Sequence, residues 1–155
     1  MLERQTLPGG LDVVILAFGE QMGLSGLRMD ANGCCQLQLQ GCWVVTLVLH
    51  PHYDRLVLHC PISTAGEIPS EILLAMLQGN FMGCAVGGGS LAVAPDRRAC
   101  VQQELPLAVL TVKSLQQAID RLLNAAQVWS TRLQSVEPRS RPGPALGGDW
   151  MARQA

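Results

Sequence analysis

The chain has 155 residues, enough for one domain with a sizeable core, and it is 48% hydrophobic but only 15% charged. Because soluble proteins usually contain about 25% charged residues, this low charge predicts either very complete burial or an apolar surface kept for a partner. The formal net charge is −1 and the basic residues form no stripe, so we do not expect nucleic-acid binding. No segment approaches the roughly 20 apolar residues of a membrane span, so we do not expect membrane insertion.

The first predicted element is a helix over residues 11–22. Gly23 follows it, at the position where a left-handed residue commonly caps a helix. The side of this helix that bears Val13, Leu16 and Ala17 is also partly apolar, so that side is either covered or kept available. The main apolar stripe consists of Leu11, Val14, Ile15, Phe18 and Met22.

Three predicted strands follow the first helix. Residues 35–40 alternate strictly between polar and apolar, which is typical of a half-buried strand. Residues 43–49 are apolar on both faces and rich in β-branched side chains, and residues 55–60 run back after a turn. The short connections favour an antiparallel meander. The second apolar face of the middle strand requires a cover.

The most unusual segment is a short helix over residues 68–79. Its six consecutive apolar residues, from Ile72 to Leu77, cannot all face one core at 3.6 residues per turn. A helix that is apolar all round is covered on two sides. In a chain of this length, we expect the second cover to be another copy of the same protein.

The remaining elements are two strands and a long helix. Glycines at 87–89 predict a turn, followed by strands over residues 91–94 and 100–105. Ser114 and Gln117 are predicted to form a capping box for the last helix. The apolar stripe of that helix consists of Leu115, Ile119, Leu122, Ala126, Trp129 and Leu133.

The composition changes after residue 135. Residues 136–155 are rich in Arg, Pro and Gly and contain too few apolar residues to fold. We therefore predict a folded domain over residues 1–135 and a disordered tail over residues 136–155.

Short motifs accompany the order helix, three strands, helix, two strands, helix. They are Leu-x-x-Val-Ile-x-x-Phe-Gly from Leu11 to Gly19, Gln78-Gly79-Asn80, the glycines at 87–89, Glu104-Leu105-Pro106-Leu107, and Ala125-Ala126-x-x-Trp129. In these motifs and their spacing the chain resembles, over roughly residues 8–133, the bacterial type III secretion chaperones of the Tir-chaperone family, the small class I kind.

The resemblance implies an α+β fold, helix-β-β-β-helix-β-β-helix with a twisted antiparallel sheet, in a homodimeric assembly. It also implies a cytoplasmic bacterial chaperone that is not an enzyme. Such proteins bind the N-terminal segment of secreted effectors in extended form, keep it competent for secretion, and deliver it to the export machinery and its secretion ATPase. The chain is less acidic than many members and carries the additional tail, so both a dedicated and a multi-cargo chaperone stay open.

Two sets of residues are candidates for partner contact. We expect pockets on the first helix and the strands to hold the effector, since a sheet edge supplies main-chain hydrogen bonds and side-chain pockets supply specificity. These effector-binding candidates are Leu16, Phe18, Leu37, Leu39, Val44, Thr46 and Val48. The dimer-interface candidates are Ile72, Leu73, Met76, Leu77, Leu91 and Val93. For both sets the alternative is ordinary core within one monomer, because alternation does not say which face is covered.

No catalytic or cofactor motif is present in the sequence. The glycines at 87–89 lack the Gly-Lys-Ser/Thr ending of a phosphate loop, and His50, His52, His59 and Cys60 lack metal-ligand spacing. The first eight residues lack a signal-peptide layout, so we expect a cytoplasmic chain whose six cysteines stay reduced. We expect no cofactor and no metal. A regulatory adaptor of the secretion system and a small ligand-binding or thiol enzyme remain as alternative functions.

Overall fold

The computed structural model describes residues 9–135 except 40, 51, 53 and 65. The predicted tail over residues 136–155 lies outside the described residues. The elements follow the predicted order of helix, three strands, helix, two strands, helix. They are α1 (Gly9–Gln21), β1 (Cys34–Leu39), β2 (Trp43–His50), β3 (Arg55–Pro61), α2 (Ser70–Gly79), β4 (Ser90–Val93), β5 (Ala99–Pro106) and α3 (Val112–Ser135).

The five strands form one antiparallel sheet in the order β1-β2-β3-β5-β4. The first three strands form the expected meander. The fifth strand then pairs with β3, which places the short fourth strand at the edge of the sheet. The predicted α+β fold is therefore confirmed, with β1 and β4 as its two edge strands.

One hydrophobic core joins the inward face of the sheet to the helices. Leu47, Leu56 and Leu58 contribute from the central strands, and Ile15 and Trp129 contribute from α1 and α3; each of these side chains is at most 1% exposed. The helix α3 lies against β3 and β5 and also contacts α1. The helix α3 thus covers the inner face at β3 and β5, and α1 packs beside it. The other face of the sheet is its outer face.

The ends of the two long helices are set by local hydrogen bonds. The predicted left-handed cap at Gly23 is confirmed with φ of +72°, and the N–H of Leu24 donates to the Gly19 carbonyl at 2.7 Å in a Schellman motif. The predicted capping box of Ser114 and Gln117 was wrong, because the box lies one turn earlier, between Thr111 and Ser114. The N–H of Ser114 donates to Thr111 Oγ1 at 3.0 Å, and the N–H of Thr111 donates to Ser114 Oγ at 2.8 Å.

The glycine run at 87–89 forms a turn, as predicted. Gly87 and Gly88 have positive φ values of 59° and 92°. At Gly89 a Cβ atom would lie 2.2 Å from the Gln102 carbonyl oxygen, so only glycine allows this close approach. Nearby, the buried Gln103 donates from Nε2 to the Val86 carbonyl at 2.7 Å, which fastens the turn to β5.

Across the part of the chain that the structure describes, no helix is both long enough and apolar enough to cross a membrane.

Candidate partner-binding surfaces

The helix α1 buries one stripe and exposes another. Leu11, Ile15 and Phe18 are at most 2% exposed, whereas Val13 is 65% and Leu16 is 45% exposed. Leu16 is therefore accessible, as its predicted role in effector contact requires. The prediction for Phe18 is corrected, because Phe18 follows Leu11 and Ile15 at helical spacing and enters the core with them.

The outer face of the sheet carries three of the predicted contact residues. Val44 is exposed, and Thr46 and Val48 are half-buried on the same face of β2. The prediction for Leu37 and Leu39 is corrected, since both are buried in the core at 4% and 7% exposed. Side chains alternate between faces along a strand, so the polar residues of β1 occupy the outer face and its leucines the inner one.

Polar side chains cross the outer face in one row. Gln36, Thr46, His59 and Gln102 lie opposite one another on four neighbouring strands, and Gln36 Nε2 donates to Thr46 Oγ1 at 3.3 Å. Partial burial lowers the pKa of His59, which favours its neutral form. The outer face is thus a mixed surface, apolar along β2 and uncharged along this row.

The backbone of β1 has a short open stretch at the edge of the sheet. The N–H of Leu49 donates to the Gly33 carbonyl at 2.8 Å, so Gly33 and every second residue after it bond to β2. The backbone groups of Cys34, Gln36 and Gln38 therefore point away from the sheet. Asp30 occupies both groups of Cys34, and among the described residues those of Gln36 and Gln38 have no partner.

A shallow groove runs beside this open stretch. It has a volume of about 320 Å³ and lies between the loop that follows α1 and the edge of β1. Leu24 and Leu27 are half-buried on the loop side, and Gln36, Leu37 and Gln38 line the strand side. Unpaired backbone groups next to a recess with apolar side chains such as Leu24 and Leu27 are what an added strand requires.

The second apolar surface lies on α2. Ile72 and Met76 are buried within the monomer, at 5% and 4% exposed, and so is Leu91 on β4. The interface prediction for these three is corrected, because they fill the core side of their elements. The other three predicted interface residues, Leu73, Leu77 and Val93, are exposed.

Three residues that were not predicted extend this surface. Leu74, Phe81 and Met82 are 57%, 74% and 83% exposed, and α2, β4 and the 3-10 segment Phe81–Val86 contact one another. The available sequence signal was that apolar residues resume directly after Asn80. We call the exposed apolar set the α2 surface: Leu73, Leu74, Leu77, Phe81, Met82 and Val93.

Three of the cysteine thiols are buried in the core. Burial raises the pKa of Cys60 to about 12, and it also raises the pKa of Cys35 and Cys100, so these thiols stay protonated near neutral pH. Among the described residues, no cluster of three His, Cys, Asp or Glu side chains could hold a metal ion. A recess of about 670 Å³ between α3 and the loop before α2 is lined by Cys42 and Glu67, and none of the described residues that line it is a histidine.

One family model matches most of the chain. The family model described as the Tir chaperone protein (CesT) family matches residues 14–130. No curated protein sequence gives a significant match.

Several solved structures share the fold at low sequence identity. A chain of the ExsC–ExsE complex is 19% identical with a TM-score of 0.74, over 83% of this chain and 97% of that one. A chain of the HopA1–SchA chaperone–effector complex is 20% identical with a TM-score of 0.67, over 78% and 93%. A chain of the complex between the Yersinia pestis type III secretion chaperone SycH and a YscM2 fragment is 18% identical with a TM-score of 0.62, over 76% and 98%.

Proposed function

The chain belongs to the Tir chaperone protein (CesT) family, and we propose that it is a type III secretion chaperone that binds the N-terminal segment of one or more effectors in extended form. Binding keeps the segment competent for secretion and brings it to the export machinery. The observation that carries the proposal is the open edge of β1 beside a groove of mixed lining that contains Leu24 and Leu27, which suits an extended peptide.

The effector segment adds to the sheet as a strand next to β1. The free backbone groups of Gln36 and Gln38 supply two successive pairing positions. Residues of the added strand opposite these two point to the outer face, and the residue between them points toward Leu24 and Leu27. The bound segment therefore has an apolar residue at its centre with polar residues on either side.

Two further surfaces extend the binding path. The exposed side of α1 offers Val13 and Leu16, and the outer face of the sheet offers Val44, Thr46 and Val48. At about 3.3 Å per residue, a segment of a few tens of residues spans more than one of these surfaces. A cargo segment of this length, extended when bound, can therefore contact several of these surfaces at once.

The α2 surface forms a homodimer. Its six apolar side chains are 37% to 83% exposed, and a chain with only 15% charged residues has little polar surface to keep such a patch isolated. A second copy covers it with the same surface across a two-fold axis. One side of α2 is then covered by the core of its own monomer, and the other side is covered by the second monomer.

The protein acts by binding rather than by catalysis, in the bacterial cytoplasm. The Cys60 thiol is buried and stays protonated, so it is not available as a nucleophile. The mixed outer face of the sheet suits the binding of a peptide. Delivery involves contact with the secretion ATPase.

The test is co-expression of the full chain with N-terminal effector segments of about 50–100 residues from the same host, followed by purification and amide hydrogen exchange. A stable complex with new protection at the Gln36 and Gln38 amides supports the proposal. A chain that co-purifies with other secretion components but with no effector segment would contradict it and favour the regulatory adaptor.

A further inference from the structure

The side chain of Asn80 occupies the backbone of the edge strand β4. Its Nδ2 donates to the Leu91 carbonyl at 2.9 Å, and its Oδ1 accepts from the Leu91 N–H at 2.7 Å. The N–H of Ala94 donates to the Arg98 carbonyl at 2.8 Å, so in this register Ala92 and Ser90 also bond toward β5. The backbone groups of Leu91, which alternate with these, therefore point outward, away from the sheet. Asn80 thus takes the place that the backbone of an added strand would take.

This contact leaves β4 without a usable row of free groups. The N–H of Gly89, two residues before Leu91, donates to the Val86 carbonyl at 3.2 Å. Only Val93, two residues after Leu91, keeps its outward groups free among the described part of the strand. An added strand needs successive pairing positions two residues apart, and β4 offers one.

The opposite edge of the sheet differs in one decisive respect. At β1, Asp30 occupies the outward groups of Cys34, but within the described residues Gln36 and Gln38 remain as two successive free positions. At each edge of the sheet another residue occupies the backbone groups of one strand residue, Asn80 at β4 and Asp30 at β1. In the part of the chain that the structure describes, only β1 keeps two successive positions to which another strand can pair.

We propose that Asn80 closes the β4 edge to strand addition, which leaves β1 as the single edge that accepts an extended partner. The inference rests on the proposed function for the identity of that partner. Asn80 is also the residue that ends α2, and its N–H donates to the Met76 carbonyl at 3.0 Å. The same residue therefore connects the end of α2 to β4. The exposed apolar residues of the α2 surface then lie beside a sheet edge that does not pair with another strand.

The first test compares Asn80→Ala with the wild-type chain and with Asn124→Ala, which makes the same change at an exposed site on α3. In Asn80→Ala we expect the Leu91 amide to exchange about tenfold faster. We also expect species larger than those of the wild type to accumulate with concentration in sedimentation velocity. Asn124→Ala should match the wild type in both. An Asn80→Ala protein that is folded but keeps the wild-type mass distribution at every concentration would overturn the proposal.

The second test needs no variant. In wild-type chain bound to an effector segment, we expect new amide protection at Gln36 and Gln38 and none at Val93. New protection at Val93 would overturn the closure of β4, even if Asn80→Ala does not fold. Absence of any bound segment would count against the proposed function alone, and the self-association of Asn80→Ala would still decide the role of Asn80.

Discussion

Met76 and Leu77 are neighbours on α2 that face opposite environments, since Met76 is 4% exposed and Leu77 is 69% exposed. Consecutive residues on a helix are separated by about 100°, so one enters the monomer core while the other leaves it. The central apolar run therefore contains two surfaces, and a substitution at each position tests a different assembly step.

We expect Leu77→Glu to prevent dimerisation without unfolding the monomer. The two-fold axis brings both copies of the charge into one apolar interface, so the dimer should weaken at least about 100-fold. Sedimentation equilibrium measures this. Gln116→Glu, the same charge at an exposed site on α3, is the control and should leave the dimer intact. A Leu77→Glu chain that dimerises like the wild type would exclude the α2 surface as the interface.

Met76→Ala should act on stability instead. Removing a buried methionine side chain costs about 2–5 kcal/mol, and urea unfolding of the monomeric Leu77→Glu background measures that loss without the dimer. If Met76→Ala weakened dimerisation but left the free energy of unfolding unchanged, Met76 would belong to the interface and the assignment of core side and outer side would be reversed.

A similar pair on α1 separates binding from folding. We expect Leu16→Glu to weaken the binding of an effector segment about tenfold or more at unchanged stability, because Leu16 is accessible. Val128→Glu, a charge at an exposed valine on α3, is the matched control and should bind normally.

Phe18→Ala should instead lower the free energy of unfolding by about 3–5 kcal/mol. Isothermal titration and urea unfolding give the two quantities, and equal effector affinity in Leu16→Glu and wild type would remove α1 from the binding path.

The order and type of the elements could be predicted because each follows from a local period. The alternation over β1 and the helical stripe on α3 appear directly in the residues. The two-sided character of α2 also follows from counting, since six apolar residues in succession exceed any single face. Local patterns of this kind need no knowledge of the rest of the chain.

Which face is buried could not be predicted in the same way. Phe18, Leu37 and Leu39 lie on the apolar side of their elements by period, but period does not say whether that side is covered within the monomer or by a partner. Only the tertiary packing shows that these three side chains enter the monomer core. The role of Asn80 is equally non-local, because its partner Leu91 is eleven residues away on another element. Contacts set by tertiary packing leave no spacing signal.

The open edge of β1 can be tested by removing a single donor. We expect Gln36→Pro to lower effector affinity about tenfold, because proline lacks the N–H that would pair with the added strand. An edge strand tolerates proline where the N–H points outward, so the sheet should remain folded. Gln36→Ala keeps the backbone N–H and controls for the side chain. Equal binding by the proline and alanine variants, measured by isothermal titration, would show that the effector does not pair with β1 at this position.

The buried thiol of Cys60 predicts how stability changes at high pH. Burial, with a smaller contribution from Cys100 and Cys42, raises its pKa from 9.0 to about 12. The folded state therefore keeps a proton that the unfolded state releases, so this contribution is complete below pH 9 and is lost as the pH rises toward 12. The slope is at most about 1.4 kcal/mol per pH unit for one proton. Urea unfolding from about pH 8 to pH 11 should show a steeper loss for the wild type than for Cys60→Ala, in which this proton is absent. Parallel curves would mean that Cys60 ionises as readily in the folded chain as in the unfolded one, and that the inner face of the sheet is open to water at this position.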